Sequence, residues 1–165
     1  MKTINYGRQT IRKIKEKDLL LIYNWSNDDL VRKNSISKKK ILLKDHISWF
    51  KKKINSNKDI IYVSSINSNP VGMVRMEKKK NFFYLSYLIS KKFRKKGLGF
   101  KMLSIFLKKF YKKSPYLKVK ACILKNNYAS IKIFKKVGFN EYKVDDKMIY
   151  YVLTKKNLNY ENWKN

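Results

Sequence analysis

Two glycines at the junction of a strand pattern and a helix pattern constrain this chain more than any other feature. The segment from Phe93 to Phe100 reads Phe-Arg-Lys-Lys-Gly-Leu-Gly-Phe and holds Gly97 and Gly99, in a sequence with only 5 glycines. Glycine lets the backbone turn sharply and lets a ligand approach the main chain. The first turn of a helix offers unpaired N–H donors and a partial positive charge, both of which favour phosphate. The pattern therefore predicts a loop that holds a pyrophosphate through backbone N–H groups.

The spacing of these glycines excludes two familiar phosphate-binding loops. A P-loop requires Gly-x-x-x-x-Gly-Lys followed by Ser or Thr, and a dinucleotide-binding loop requires Gly-x-Gly-x-x-Gly. Neither pattern occurs in this chain. The sequence Arg94-x-x-Gly97-x-Gly99 resembles instead the acyl-CoA pyrophosphate loop of the GNAT superfamily of N-acetyltransferases. A basic surface turn before a helix is the alternative interpretation of this segment.

A second segment resembles the other signature of the same superfamily. From Asn126 the chain reads Asn-Asn-Tyr-Ala-Ser-Ile-Lys-Ile-Phe-Lys-Lys-Val-Gly-Phe, which is similar to the family pattern Asn-x-x-Ser/Ala-x-x-x-Tyr/Phe-x-x-x-Gly-Phe. Asn127 is a favourable N-cap and Gly138 a favourable C-cap, so a helix is predicted between them. An ordinary strand-helix-strand unit is the alternative. Two signatures in the family's order favour the GNAT resemblance.

Length and composition predict one domain and a cytoplasmic protein. With 165 residues and 44% hydrophobic content, the chain is long enough for a single core, and we predict one domain over residues 1–165. No apolar run approaches the roughly 18 residues of a transmembrane helix. The N-terminal residues lack the apolar stretch of a signal peptide. Cys122, the single cysteine, excludes an internal disulfide framework.

The formal charge of +30 invites a nucleic-acid interpretation. A field of this size attracts polyanions, but the lysines are spread along the whole chain in short runs rather than clustered. A solvated lysine surface is therefore the favoured interpretation, with no nucleic-acid partner and no metal site. The field still favours anionic substrates, including CoA and nucleotide-linked sugars.

The order of predicted elements indicates an α+β fold. Strands are expected at 9–14, 60–66, 71–77, 84–89, 117–124, 140–144 and 147–153, and helices at 18–25, 28–33, 43–54, 97–111 and 127–137. A group of strands followed by strand-helix-strand-helix-strands gives a mixed sheet. This order is similar to the GNAT fold over nearly the full length. That resemblance implies a largely antiparallel sheet with helices on both faces and a splayed central strand pair.

The resemblance also implies acetyl-CoA as cosubstrate. In the family, backbone groups of the strand before the loop contact the pantetheine arm, and the N–H of Ile89 is the group expected to polarise the thioester carbonyl. The loop N–H groups would hold the pyrophosphate, and Arg94 would add charge. Asn127 would contact the pantetheine from the other side. The implied cofactor-binding set is Leu88, Ile89, Arg94, Lys95, Lys96, Gly97, Leu98, Gly99, Asn127, Ser130 and Phe134.

The sequence departs from the family at the position of the proton donor. Many members have a tyrosine that protonates the leaving thiolate, whereas this chain has Phe134, which has no donor. Tyr128, Ser130 or water would have to act instead, or the thiolate leaves unassisted. The general acid stays unassigned at this stage.

The N-terminal third carries a more specific resemblance. Residues 25–35 read Trp-Ser-Asn-Asp-Asp-Leu-Val-Arg-Lys-Asn-Ser, and residues 45–50 read Asp-His-Ile-Ser-Trp-Phe. This is similar to a bacterial GNAT subgroup that acetylates nucleotide-linked amino sugars, as in pseudaminic and legionaminic acid synthesis. The resemblance implies a small-molecule amine on a nucleotide carrier, with UDP the expected nucleotide.

The side chains of this region suit such an acceptor. Arg32 can pair with a diphosphate, and Trp25 and Trp49 can stack on a ring. His46, the only histidine, can bond a phosphate or carry a proton, and Tyr87 completes the predicted acceptor-binding set. Core packing is the alternative for both tryptophans, and a structural hydrogen bond is the alternative for His46.

Direct attack of a neutral amine on the thioester needs orientation and a proton acceptor. Glu77 and His46 lead as acceptors because both ionise in a useful range. Ser86 acting through water is the third catalytic prediction, with Tyr84 and Tyr87 as further groups on the same strand. An ion pair with lysine is the alternative for Glu77.

Two other functions stay open from the sequence. Acetylation of a protein N-terminus is one, because acetyltransferases of ribosomal proteins resemble the same N-terminal layout. A non-catalytic CoA-binding or RNA-binding module is the other, given the charge and Phe134. The sequence also leaves open whether the chain forms a homodimer.

Overall fold

Seven strands and five α-helices follow one another along residues 8–158, the part of the chain that the computed structural model describes. The strands are β1 (Gln9–Lys13), β2 (Asp59–Ile66), β3 (Asn69–Lys78), β4 (Phe82–Ile89), β5 (Lys118–Leu124), β6 (Asn140–Val144) and β7 (Met148–Leu153). The helices are α1 (Leu19–Ser26), α2 (Asp29–Lys33), α3 (Leu43–Ile54), α4 (Leu98–Lys113) and α5 (Tyr128–Val137). Short 3₁₀ turns lie at Glu16–Asp18, Lys91–Phe93 and Lys155–Asn157. The strands and helices match the predicted elements closely.

The strands form one mixed sheet in the order β1-β2-β3-β4-β5-β7-β6. Every neighbouring pair is antiparallel except β4 and β5, which are parallel. The parallel pair is joined through α4, as a parallel connection requires. This confirms the predicted α+β fold with a largely antiparallel sheet.

The turn between β2 and β3 is tighter than the sequence pattern predicts. Asn67 and Ser68 close it with φ angles of 48° and 66°. Two successive left-handed residues match the strand twist of a hairpin. Pro70, which the predicted strands at 60–66 and 71–77 leave in the connecting turn, lies instead within β3 opposite Ser65, next to a register shift where its missing N–H is tolerated.

Each face of the sheet carries its own core, so the predicted helices on both faces are confirmed. The face covered by α4 and α5 buries Val74, Leu85, Met102, Phe106 and Tyr151, among others. The face covered by α1 and α3 buries Ile22, Phe50, Val63, Met73 and Leu88. Alternate residues of β3 and β4 therefore enter different cores, as the two-residue period of a strand requires.

Helix α4 anchors the larger core. Its apolar residues recur every three or four positions, at Met102, Leu103, Phe106, Leu107 and Phe110, and all are buried. Truncating a fully buried leucine such as Leu107 to alanine costs about 2–5 kcal/mol. The start of α4 is held to β1 because the Gln9 amide donates to the Leu98 carbonyl at 3.2 Å. Within residues 8–158, no helix combines the length and apolarity needed to cross a bilayer.

The parallel strands diverge before they reach the loop. β4 and β5 pair from Phe82–Lys118 to Tyr84–Lys120 and no further among the described residues, although β4 continues to Ile89 and β5 to Leu124. The predicted splayed strand pair is therefore confirmed. The gap opens toward the start of α4.

Candidate active site

The loop that follows β4 reaches α4 through two left-handed residues. Lys95 has φ 59° and Gly97 has φ 72°, with Gly97 directly before the helix. A Cβ at Gly97 would meet no heavy atom within 4 Å, so the space beside this turn is open. Helix α4 begins at Leu98, so its first N–H groups have no carbonyl partner within the helix. The geometry suits an anion held by main-chain donors.

Three elements, α4, α5 and β4, lie close together at Gly99. A Cβ there would lie 3.0 Å from Ile133 Cδ1 and 3.3 Å from Tyr87 Cε2. The first turn of α4 therefore packs against both α5 and β4 beside the splay. A larger residue would displace both neighbours.

Backbone groups of Ile89 face the splay. Ser90 donates its N–H to the Val71 carbonyl at 2.9 Å, and hydrogen-bonded pairs alternate along an antiparallel ladder. The N–H and C=O of Ile89 therefore point away from β3, whereas those of Leu88 point toward it. The Ile89 carbonyl accepts from Arg94 Nε at 3.0 Å. Of the strand residues expected beside the pantetheine arm, Ile89 has the suitably oriented N–H.

Arg94 is held by protein groups. Its Nε contacts the Ile89 carbonyl at 3.0 Å, and its Nη2 contacts Asp28 Oδ1 at 2.6 Å. Asp28 is also the N-cap of α2, since the same oxygen accepts from the N–H groups of Leu30 and Val31. Burial alone would raise the pKa of Asp28, but these hydrogen bonds outweigh it and lower the pKa. Arg94 thus connects the loop after β4 to the N-terminus of α2. The sequence pattern did not predict this contact.

Helix α5 has the predicted caps. The Asn127 side chain accepts from the Ser130 N–H at 3.3 Å, and Gly138 at the other end has φ 109°. The capping contact uses the Asn127 carbonyl oxygen and leaves its amide group as the polar group for another contact. Asn127 follows the end of β5, beyond the last residue that pairs with β4.

Phe134 occupies an aromatic cluster behind the splay. It is 2% exposed, and its ring centroid lies 4.6 Å from that of Phe139, 5.8 Å from that of Tyr151 and 5.9 Å from that of Tyr87. Phe134 therefore packs as a core residue with no polar group to offer. Tyr128, one of the alternative donors, is 70% exposed on the outside of α5.

A cavity of about 390 Å³ lies on the α1–α3 face of the sheet, beside the splayed part of β4. It is lined by Ser26, Val31, Arg32, Ser35, Ile41, Asp45, His46, Trp49, Met73, Arg75, Ser86, Tyr87 and Leu88. The structure thus brings together most of the predicted acceptor and catalytic residues. Trp25 and Glu77 are not among the lining residues. Trp25 packs against the smaller core instead.

Arg32 borders the cavity with part of its guanidinium unsatisfied. Its Nη2 donates to Ser35 Oγ at 3.0 Å, and its Nη1 contacts backbone carbonyls of Ser37 and Lys39 at 3.4 and 3.3 Å. Its Nε is buried and has no hydrogen-bond partner among the described residues. Burial lowers the pKa of Arg32 from its usual value. A buried donor of this kind favours an anionic ligand.

Arg75 adds a second cation to the cavity. Its Nε donates to Ser86 Oγ at 3.2 Å, and its guanidinium carbon lies 5.6 Å from the centroid of the Trp49 ring. The donated hydrogen bond and the adjacent charge make Ser86 a poor proton acceptor. Sequence reasoning missed Arg75, because its position depends on the register that sets it opposite Ser86.

His46 is 2% exposed and is held in one orientation. Its Nε2 lies 3.0 Å from the Leu19 carbonyl, which can only accept, so Nε2 carries the hydrogen and Nδ1 carries the lone pair. Burial lowers the pKa of His46, opposed by this hydrogen bond. The ring packs against Trp49 and Tyr23 at centroid distances of 5.3 and 5.4 Å. His46 is thus neutral near neutral pH, with Nδ1 as its acceptor.

Glu77 is not among the residues that line the cavity and lies in an ion-pair cluster next to Arg75, which does line it. Its carboxylate is 3.2 Å from Lys53 Nζ, 3.5 Å from Lys79 Nζ and 3.7 Å from Arg75 Nε. Burial acts to raise the pKa of Glu77, but the neighbouring cations, Arg75 first, lower it overall. The carboxylate that does border the cavity is Asp45, which precedes His46 on α3. Its sequence position was visible, but only the placement of α3 against β3 and β4 brings it to the cavity.

Comparison with known proteins agrees with this geometry. The sequence model described as an acetyltransferase (GNAT) domain matches residues 8–140. A search of curated proteins found none that matches this chain.

Solved structures share the fold over most of their length. A domain from Methanocaldococcus jannaschii is 26% identical with a TM-score of 0.77, covering 89% of this chain and 98% of that one. Spermidine N-acetyltransferase from Vibrio cholerae, solved with CoA and spermine, is 14% identical with a TM-score of 0.81, covering 90% and 96%. An aminoglycoside acetyltransferase solved with coenzyme A is 18% identical with a TM-score of 0.76, covering 91% and 96%.

The family match confirms the predicted GNAT resemblance and, with it, an enzyme rather than a non-catalytic module. The open turn at Gly97, the free N–H direction at Ile89 and the splay between β4 and β5 agree with the cosubstrate expected for such an enzyme. The chain therefore belongs to the GNAT acetyltransferase family, as an N-acetyltransferase that uses acetyl-CoA.

Proposed function

We propose that this enzyme transfers the acetyl group of acetyl-CoA to the amine of a nucleotide-linked, UDP-type amino-deoxy sugar. The observation that carries the proposal is the pair of arginines, Arg32 and Arg75, at the cavity beside β4. The related enzymes named above act on spermidine and aminoglycosides, which are cations. The cavity is bordered by two guanidinium groups, one with a buried donor left unpaired, and, among the residues that the structure describes, by a single carboxylate, that of Asp45, so the excess of positive charge favours an anionic acceptor instead.

The aromatic lining supports a ring-bearing acceptor. Trp49 borders the cavity and is already oriented by Arg75 and His46. An indole face offers stacking area for a nucleobase or a sugar ring. Arg32 is assigned to the diphosphate and Trp49 to the ring. Trp25, which packs against the smaller core, is assigned no contact with the acceptor.

The proposed reaction is direct transfer. The neutral amine attacks the thioester carbonyl carbon, the Ile89 N–H polarises the carbonyl oxygen, and a C–N bond forms as the C–S bond breaks. The proton lost by nitrogen passes to His46 Nδ1, directly or through water, and the electron pair of the C–S bond goes to sulfur. His46 is preferred over Glu77 because it borders the cavity and is neutral.

We assign the contacts with acetyl-CoA from the position of the open turn at Gly97. Backbone N–H groups from Lys95 to Gly99 hold the pyrophosphate, and the amide of Asn127 contacts the pantetheine from the α5 side. Arg94 stabilises the loop through Asp28 rather than serving as a free cation. The activity is assigned to one domain over residues 1–165, in the cytoplasm.

A thiol-release assay across several amines tests the proposal. We expect turnover of a UDP-linked amino sugar and none of spermidine or kanamycin, with UDP competing against the acceptor. Competition by an N-terminal peptide and not by UDP would instead support acetylation of a protein N-terminus.

Variants of α2 separate a phosphate contact from a general charge effect. Arg32→Ala should raise the acceptor KM by about 10- to 100-fold, the worth of a charge-assisted hydrogen bond, with the KM for acetyl-CoA unchanged. Lys33→Ala removes the same charge from an exposed position on the same helix and should change neither value. Equal effects of Arg32→Ala on both substrates would contradict the assignment.

A further inference from the structure

A pair of hydroxyl groups lies at the edge of the splay, in the region where the family's proton donor is missing. Tyr87 Oη is 3.1 Å from Ser130 Oγ, so β4 and α5 are joined across the splay by this contact. Tyr87 also borders the acceptor cavity, and its ring packs on Phe134 and beside Gly99. It is thus adjacent to the acceptor cavity, to the start of α4 and to the residue that replaces the usual donor.

We propose that the Tyr87 hydroxyl donates a hydrogen bond to the sulfur of CoA as the thiolate leaves, and that Ser130 positions this hydroxyl. The inference rests on acetyl transfer by the GNAT fold and is independent of the acceptor proposed above. Phe134 offers no donor, whereas Tyr87 and Ser130 are the paired hydroxyls that contact each other across the gap.

The direction of the hydrogen bond between the two hydroxyls follows from this role. Ser130 donates to the Tyr87 oxygen, which leaves the tyrosine hydrogen for the sulfur. A hydrogen bond received by the phenol oxygen also strengthens the phenol as a donor. Ser130 is therefore a positioning residue, and Tyr87 is the group that touches the leaving atom.

The chemistry is hydrogen bonding without proton transfer. Burial, opposed by Ser130, raises the pKa of Tyr87 to about 12, whereas a thiol ionises near a pKa of about 8.5. The proton therefore stays on tyrosine when the C–S bond breaks and its electron pair moves to sulfur. The thiolate leaves as an anion held by the Tyr87 O–H, and it is protonated from water after release.

Binding of CoA itself tests the inference without any acceptor. The thiolate fraction of bound CoA is measured by ultraviolet absorbance as a function of pH, with desulfo-CoA as the blank. Tyr87→Phe keeps the ring and removes the donor, so we expect the thiolate-to-thiol ratio of bound CoA to fall by about 10- to 100-fold. Ser130→Ala should lower it by a smaller factor, and Ser130→Thr should restore it. Tyr116→Phe, at a residue 95% exposed, is the matched control and should change nothing.

The outcomes distinguish this inference from the others. An unchanged ratio in Tyr87→Phe, with CoA still bound, would overturn it, as would a loss in Tyr128→Phe alone. If Tyr87→Phe does not fold, the Ser130→Ala and Ser130→Thr pair decides the question. Failure of CoA to bind the wild-type protein would overturn the cofactor assignment, and failure of the UDP-linked acceptor would overturn only the proposed substrate.

Discussion

Removing the Asp28 carboxylate should destabilise the protein by more than the loss of a surface ion pair. Asp28 Oδ1 accepts from the N–H groups of Leu30 at 3.1 Å and Val31 at 3.2 Å, and from Arg94 Nη2 at 2.6 Å. The two side chains are 17% and 21% exposed, so the pair is mostly shielded from solvent. Asp28→Ala removes the cap of α2 and leaves the Arg94 charge without its carboxylate partner.

The magnitude follows from these two losses. An N-cap is worth about 1 kcal/mol, and a hydrogen bond to a charged group is worth about 1.5–3 kcal/mol. Asp28→Ala should therefore lower the free energy of unfolding by about 2–4 kcal/mol. Asp28→Asn keeps an oxygen for the cap and loses the charge, so it should cost about half of that. Asp29→Ala, which removes an exposed ion pair with Lys40 on the same helix, should have little effect.

The effect should depend on pH in a defined direction. The pKa of Asp28 is lowered in the folded protein, so its contribution is fully present above the unfolded pKa of about 3.9 and is lost as the pH falls through the folded value. The difference in the free energy of unfolding between wild type and Asp28→Asn should thus decrease as the pH falls.

Urea unfolding at several pH values measures both expectations. A double-mutant cycle with Arg94→Ala should give a coupling energy of about 1–2 kcal/mol between the two residues. A cost of Asp28→Ala no larger than that of Asp29→Ala at neutral pH, or a difference between wild type and Asp28→Asn that does not change with pH, would refute the reasoning.

Three further predictions test the loop, the histidine and the ion-pair cluster. Gly97→Trp should keep the fold, because no heavy atom lies within 4 Å of the Cβ position. The left-handed φ should lower the free energy of unfolding by about 1–2 kcal/mol. CoA binding in calorimetry should be lost, and an unchanged affinity would contradict the pyrophosphate assignment. His46, the single histidine, has a lowered pKa in the folded protein. Its contribution to the free energy of unfolding should therefore be complete above about pH 6.5 and decrease below that pH. His46→Phe should remove this pH dependence, and a wild-type curve that is flat between about pH 5 and 7 would disagree. Glu77→Gln should leave kcat within about threefold, since the carboxylate is paired with Lys53, Lys79 and Arg75 and does not line the cavity. A loss of 100-fold or more, on the order seen for a general base, would restore Glu77 as the proton acceptor.

The elements of the fold could be predicted because their signals are local. Helix α5 illustrates this, since Asn127 and Gly138 determine its ends through their own backbone and side-chain chemistry. The turn before α4 could be predicted for the same reason, because glycine allows the left-handed conformation that Gly97 adopts there.

The lining of the cavity was predicted only in part because its geometry depends on packing between distant segments. Arg32, His46 and Trp49 were named from a local motif and do border the cavity. Trp25, in the same motif, packs against the smaller core, since the orientation of α1 against the sheet decides which face of the helix is buried. Arg75 had no local signal, because its relation to Ser86 and Trp49 exists only across strands and between β3 and α3.

The amino-acid sequence alone determined the order of strands and helices, the two family signatures and the glycine turn before α4, because each depends on residues within one or two turns of chain. Only the tertiary structure decided that Arg94 contacts Asp28, that Glu77 lies among lysines and that Tyr87 meets Ser130. Each of these contacts joins residues that are far apart in the chain or on adjacent elements, and strand register and helix packing set their distances.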